Sequence, residues 1–446
     1  MLGPPAATVS RPARQHGDQG TGSVVAGRWV TRLLRCYPVS LVVLAPYVLF
    51  ILPVAAVNQN PDLGFLVRLV GLALAGSVLM ETAALPLRRS ALGWDRGIRA
   101  ANDHPRIYAI ARGVSVVSIV ADLTGAVVGR GTVFTQVSGG LPDSPLASLS
   151  ALVSGWSALA VALLIASSLG GRASTRRVGG WLLALALTQA LLVVMTARSA
   201  PLLGFISFLA AAGAISGVIR ARYLAVAAVV LALAWPAIFE LRNDIRQSGG
   251  VSVSELVTAG DRLRLDLQMS AAAHHRVPVD LPQPGPVDYL RYGFVPRVLD
   301  SDRPTISTGV EINQYLGGGA TSAYSFLALG NVYFLDGPWA VVIFYGLWSA
   351  LVVLLLRAGR APGPMRLAVL CFTLAGPLLW SSTYPDSMLA FIQHVVSAVP
   401  VFLLLHLTGR KGTSARVEQH AGSLGQGRTA EAVHAVRGRV AGTARV

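Results

Sequence analysis

Five arginines and a few carboxylates stand out in a chain that is otherwise mostly apolar. The segment FVPRVLDSDRP, Phe294 to Pro304, holds Arg297 and Arg303 beside Asp300 and Asp302, with prolines at Pro296 and Pro304. Arg242 and Arg246 follow an apolar run in ELRNDIRQ, one helical turn apart, a spacing that puts both on one helix face. Arg198 closes another apolar run in TARSAP. Guanidinium groups keep their charge and match phosphate oxygens with paired hydrogen bonds. Five of them near one membrane surface predict a site for a lipid-linked phosphate or pyrophosphate. The plainer reading is that arginines at helix ends reach out to lipid head groups, and that Arg242 and Arg246 pair with Glu240 and Asp244.

Removing a proton from a hydroxyl needs a carboxylate or imidazole within hydrogen-bond reach. The candidates on the same side are Asp300, Asp302, Glu311, Asp336, Asp386 and the pair His274–His275. Asp302 and Glu311 are the two chosen as catalytic: prolines stiffen the chain around Asp302, and Glu311 in GVEINQY follows that segment closely. Each one taken singly also has an ordinary structural reading. The two histidines lack further ligands at metal spacing, so no metal is expected. There is no Gly-Lys-Ser/Thr phosphate loop, the glycines at 317–319 read as a turn, and no cofactor is expected.

The elements that must position these residues are apolar runs. The chain has 446 residues, is 53% hydrophobic and only 13% charged, well under the charge of a soluble domain. The fold class is an all-α polytopic membrane protein with about ten spans: 39–57, 63–85, 107–128, 148–169, 179–197, 201–219, 223–239, 337–356, 366–382 and 388–407. Of the 37 Lys and Arg, 25 fall in the tails and in alternate connections, around 86–106, 170–178, 220–222 and 357–366. Basic residues mark the cytoplasmic side, so both termini are expected there. This bias also accounts for the net charge of +16, and no nucleic-acid recognition module accompanies it. The cysteines Cys36 and Cys371 show no metal or disulfide spacing, and the polar stretch before the first span does not resemble a signal peptide.

The organisation expected is a disordered cytoplasmic tail at 1–38, seven helices over 39–239, a large extracytoplasmic loop at 240–336, three helices over 337–407 and a second disordered tail at 408–446. The loop holds ten of the 21 acidic residues between Glu240 and Glu311, unlike the basic connections elsewhere. Within it, 251–273 reads as a short amphipathic helix and 320–335 as a helix lying at the interface or re-entering the membrane. Inside the spans, Asp122 is expected to pair with Arg68, while Glu81 and Arg112 are expected to snorkel towards the cytoplasmic surface.

Three stretches resemble the Wzy-type O-antigen and exopolysaccharide polymerases, relatives of the O-antigen ligases. TARSAP resembles the family's Ser/Arg-bearing helix end, carried by Arg198. VPRVLDSDRP resembles a recurrent Pro-Arg-x-Leu-Trp-Pro-Asp-Lys-Pro pattern at Pro296, Arg297, Leu299, Asp302 and Pro304, with Asp300 and Ser301 replacing Trp-Pro and Arg303 replacing Lys. SFLALGNVYFLDGPWAVVIFYG resembles the family's amphipathic helix, glycine turn and following membrane helix, around Tyr333, Gly337 and Trp339. Leu329-Gly330-Asn331 stands where Gly-Glu is frequent, so no catalytic Glu carries over there.

The resemblance implies a glycosyl transfer at the outer face of a bacterial cytoplasmic membrane. A polyprenyl-pyrophosphate-linked oligosaccharide is the donor, and a hydroxyl of a second lipid-linked oligosaccharide is the acceptor. Arg198, Arg242, Arg246, Arg297 and Arg303 would hold the pyrophosphate, and a carboxylate of the loop would assist the hydroxyl. Membrane lipids and other polysaccharide-assembly proteins are the expected partners. A flippase or transporter of lipid-linked glycans, and a ligase-like glycan transferase, are the rival readings. The absence of an internal repeat weighs against the transporter.

Overall fold

The computed structural model describes residues 30–84, 86, 94–130, 150, 153, 155–196, 200–219, 221–248, 258–275, 286–295, 300, 307–318, 323–357 and 361–409. Among them 83% are helical and none is in a strand, the outcome expected where an apolar medium offers the backbone no other hydrogen-bond partners. The helices are α1 (Val39–Val57), α2 (Leu63–Ala83), α3 (Trp94–Asn102), α4 (Ile107–Val128), α5 (Trp156–Leu169), α6 (Thr175–Thr196), α7 (Ala200–Ser216) and α8 (Ala221–Ser248). The loop region adds α9 (Ala259–Leu263), α10 (Leu265–Ser270), α11 (Pro286–Phe294) and α12 (Thr308–Tyr315). The chain returns through α13 (Leu327–Arg357), α14 (Pro364–Ala375) and α15 (Asp386–Gly409).

Six of these, α1, α2, α4, α6, α13 and α15, are long and apolar enough to cross a bilayer. Against ten apolar runs in the sequence, three helices are shorter: α5, α7 and α14. The reason is visible in α5, where Ala158 to Ala166 are at most 3% exposed. A helix apolar on every side satisfies itself against protein all round, so its length is set by its neighbours rather than by lipid.

The most intimate helix contact is between α2 and α13. A side chain on Gly76 would meet the carbonyl oxygen of Val342 at 2.2 Å, and Gly346 lies opposite with the Gly76 carbonyl 3.5 Å from its own missing Cβ. Small residues are what let two backbones approach this closely in a membrane, where packing rather than water expulsion holds helices together.

Two clusters of contacts mark the ends of the bundle. At one, Arg172 pairs with Asp103 at 2.5 Å, Asn102 donates to the Pro362 carbonyl at 3.0 Å and His104 bonds the Leu405 carbonyl at 2.9 Å. The arginine-bearing connections that the sequence assigns to one side therefore do meet. Arg35 joins the same arrangement, donating to the Ile215 and Ser216 carbonyls at 3.0 Å, where a cation suits the helix C-terminus. At the other end, Asn60 donates to Asp266 at 2.9 Å and His274 bonds Asp62 at 2.7 Å, clamping the loop region onto the α1–α2 turn.

Two expectations about charges inside the bundle are corrected. Glu81 does not snorkel: it is fully buried and accepts from the Val39 amide at 2.7 Å and the Ser40 hydroxyl at 2.5 Å. Pro38 interrupts the helical turn before α1, and the carboxylate takes up the amide that this break leaves over. Asp122 accepts from Gln189 of α6 at 3.0 Å, while Arg68 is exposed. Arg112 is exposed, as a snorkelling side chain should be, and rests 6.0 Å from the Trp181 ring.

Two stability predictions follow from these contacts. Gly76→Ala should destabilise the protein by at least about 1–3 kcal/mol, because a backbone carbonyl cannot rotate out of the way. Glu81→Ala strands a buried amide and hydroxyl and should cost about 2–4 kcal/mol, with Glu81→Gln costing less. Thermal unfolding of detergent-solubilised protein measures both.

Candidate functional site

The segment preceding α13 is held by Asn331, which is fully buried. Its amide oxygen accepts from the Phe326 amide at 3.0 Å, and its NH2 donates to the Ser325 hydroxyl at 2.8 Å and the Ser382 carbonyl at 3.4 Å. The Ala328 amide donates to the Trp380 carbonyl at 3.0 Å. These bonds fasten the start of α13 to the connection between α14 and α15. They also accompany an unusual backbone: Leu327 has φ 62°, a left-handed conformation that is costly for a bulky residue. Ten residues on, α13 is broken at Gly337, where φ 81° and ψ −174° require glycine, and Pro338 begins the next turn. Asp336 sits at this bend.

The same connection delivers Asp386 to the first turn of α15. Its carboxylate accepts from the Thr308 amide at 3.0 Å and the Thr308 hydroxyl at 2.7 Å. Asp386 therefore caps α12 from another element, satisfying a first-turn amide and placing negative charge at that helix N-terminus. One turn further along α12 stands Glu311. Burial, and then the Asp386 charge, push its carboxyl above the usual glutamate range.

Two phenols complete the group. Tyr289 of α11 is pushed up by burial and then by the charges of Asp386, Glu311 and Asp336. Its hydroxyl is buried and has no hydrogen-bond partner among the described residues. Tyr384 is pushed up by burial and then by its hydrogen bond with Asp336. Three carboxylates and two phenols thus come from α11, α12, the α13 bend and the turn into α15. Carboxylates and phenols can hydrogen-bond hydroxyl groups and accept a proton, and their negative charge disfavours phosphate. A phosphate would have to lie to one side, on arginines.

Arg291 of α11 is a described arginine beside this group. It donates to Asp300 at 2.8 Å, with the arginine 56% and the aspartate 8% exposed. The second carboxylate oxygen of Asp300 is buried without a partner. Asp300 is thus an ion-pair partner for the end of α11.

Of the chosen residues, Glu311 falls within the carboxylate–phenol group. Arg242 and Arg246 lie one turn apart on the last part of α8, and their side chains fall outside the description. Arg198, Arg297, Asp302 and Arg303 lie outside the described residues. Asp336 and Asp386, weighed above as possible bases, both join the group. The histidines do not: His274 is held by Asp62, and the His275 ring lies 6.1 Å from those of Phe326 and Tyr315. Among the described residues no three His, Cys, Asp or Glu side chains converge as a metal site would require. Tyr289 and Tyr384 escape sequence reasoning. Their only signal is a tyrosine placed in the polar breaks DYLRYG and TYPDS between apolar runs.

Asp386→Ala should release α12, costing about 1–2 kcal/mol for the lost cap, and should bring the Glu311 carboxyl back towards its ordinary range. Amide hydrogen exchange over 308–315 checks the first effect, and infrared titration of isotope-labelled glutamate checks the second.

No protein-family model, no curated protein and no solved structure matches this chain.

Proposed function

We propose that this protein is a membrane glycosyltransferase that joins polyprenyl-pyrophosphate-linked oligosaccharide units into a surface or extracellular polysaccharide. In this reading it crosses a bacterial cytoplasmic membrane about ten times with both termini in the cytoplasm, and the site faces outwards. The observation that carries the reading is the carboxylate–phenol group around Glu311, Asp386 and Tyr289, gathered at the end of the bundle away from the arginine-bearing connections. The likeness to the Wzy-type polymerases supports it from the sequence side.

The chemistry then divides between two sets of residues. Glu311 takes the proton as the acceptor hydroxyl oxygen forms its bond to the anomeric carbon of the donor. The bond from that carbon to the pyrophosphate oxygen breaks, and polyprenyl pyrophosphate leaves with both bonding electrons. Arg198, Arg242, Arg246, Arg297 and Arg303 are the cations available to hold the leaving group as its charge develops. Tyr289 and Tyr384 orient sugar hydroxyls, and Asp302 is a second carboxylate within the stiff segment. Asp386 acts through Glu311, as a positioning residue that raises its affinity for the proton.

Glu311→Gln should lower chain extension by about 10²–10⁴-fold. The sign of its effect on stability is the opposite. A carboxyl raised in the folded state binds its proton more tightly folded than unfolded, so stability falls as pH rises from the ordinary glutamate value through the raised one. Gln abolishes that loss, so stability at neutral pH should hold or increase while activity disappears. Thermal unfolding against pH, beside gel analysis of polymer length, reads both.

The deciding experiment is a deletion strain examined for surface polysaccharide and lipid-linked intermediates. Single units accumulating on the outer leaflet with long chains lost would support polymerisation. Units trapped on the cytoplasmic leaflet would mean a flippase and end the catalytic reading. Arg297→Ala and Arg242→Ala should each abolish lengthening without impairing membrane insertion; normal long chains in both would remove these arginines from the site.

A further inference from the structure

The helix α11 belongs by sequence to the large loop, yet it packs lengthwise against the membrane helix α15. Gln393 donates to the Tyr292 carbonyl at 2.9 Å, and a side chain on Gly293 would meet Ile392 at 2.7 Å. Gln393 lies seven residues beyond Asp386, where the apolar span begins. At 1.5 Å per residue, the end of α11 therefore sits about 10 Å into that span.

The exposure of α15 changes where α11 stops. From Asp386 to Ala398 none of its residues is exposed, whereas Val399, Leu403, Leu404 and Leu407 are 46–62% exposed. Over its first half, then, α15 meets protein instead of lipid. The outward side of α11 takes over that boundary. Val287, Leu290 and Phe294, spaced three and four residues apart on one face, are 77%, 54% and 60% exposed. Tyr292 and Gly293, on the opposite side, are buried. The α13 bend lies at Gly337. Below that bend Trp339, Ile343 and Leu347 are 76%, 59% and 64% exposed at four-residue spacing, on a helix long and apolar enough to span. Both α11 and α13 thus present exposed apolar faces.

A charged side chain close to the face obeys the same constraint. Arg291 is neutralised by Asp300 at 2.8 Å and lies 5.9 Å from the Tyr292 ring. An arginine at membrane depth needs such a partner, while one in water does not.

We infer that α11 is seated in the membrane leaflet on the loop side, with Val287, Leu290 and Phe294 against lipid acyl chains and its buried face against α15. The partner is the bilayer itself. It follows that Tyr289 and the carboxylates stand at head-group level, so a molecule carried on a lipid anchor reaches them sideways from the membrane. The seating of α11 rests on packing and exposure alone and holds whether or not the protein transfers sugars.

The test uses the wild-type chain in single-copy nanodiscs of phosphatidylcholine bearing a diazirine near the acyl terminus. After photolysis and peptide mass spectrometry, adducts are expected on Val287, Leu290 or Phe294 at a yield comparable to Ile343 and Leu347. Adducts on Ile343 and Leu347 with none on α11 would overturn the inference. Independently, Leu290→Cys should resist a water-soluble maleimide, while Gln314→Cys on the exposed side of α12 reacts readily. Equal rates at the two positions would also overturn it.

Discussion

Gly76 lets α2 and α13 meet backbone to backbone, and the position of α13 is thereby set to within the thickness of a methyl group. From that contact a chain of hydrogen bonds runs to the candidate site. Asn331 and Ala328 of α13 hold the connection at Trp380 and Ser382. That connection aims Asp386, Asp386 grips Thr308, and Thr308 opens the short helix that carries Glu311. A short helix of this kind is marginal by itself, because the first turn costs more order than its one bond returns. Its existence therefore depends on the rigid contact that starts the chain.

Asp386 performs two electrostatic tasks with one charge. At the N-terminus of α12 its negative charge is favourable, completing a helix end that would otherwise present bare amides. For Glu311 the same charge is unfavourable, since two carboxylates in a half-dry setting resist ionising together. The outcome is a glutamate that holds its proton more tightly than usual, on a helix that its neighbour stabilises. Asp266, at the same end of the bundle, makes the contrast. Burial also works against its charge, but Arg264 at 2.9 Å and Asn60 hold its carboxyl below the usual range. A cation and an amide favour the ionised carboxyl; burial beside a second anion favours the protonated one.

Glu81, Asp266 and Asn331 each make at least two hydrogen bonds and tie helices together. Buried atoms without a partner among the described residues occur through the bundle, on Ser77, Asn102, Ser118 and Ser349, as well as beside α11 on Tyr289 and Asp300.

Much of this protein is determined by its sequence alone. Apolar runs of spanning length, and a majority of the basic residues in alternate connections, specify a helical membrane protein and bring basic segments to one end, because both signals are local and additive along the chain. Tertiary structure decided the rest. Glu81 reads as a charge near a helix end, but the break at Pro38 leaves the Val39 amide for it to bind. The α5 run looked like a lipid-facing span until its neighbours enclosed it. Asp386 lies 75 residues from Glu311, and Tyr289 comes from a third element, so no spacing rule joins them. The proton affinity of a carboxyl depends on charges and water within a few ångströms, and only folding brings those together.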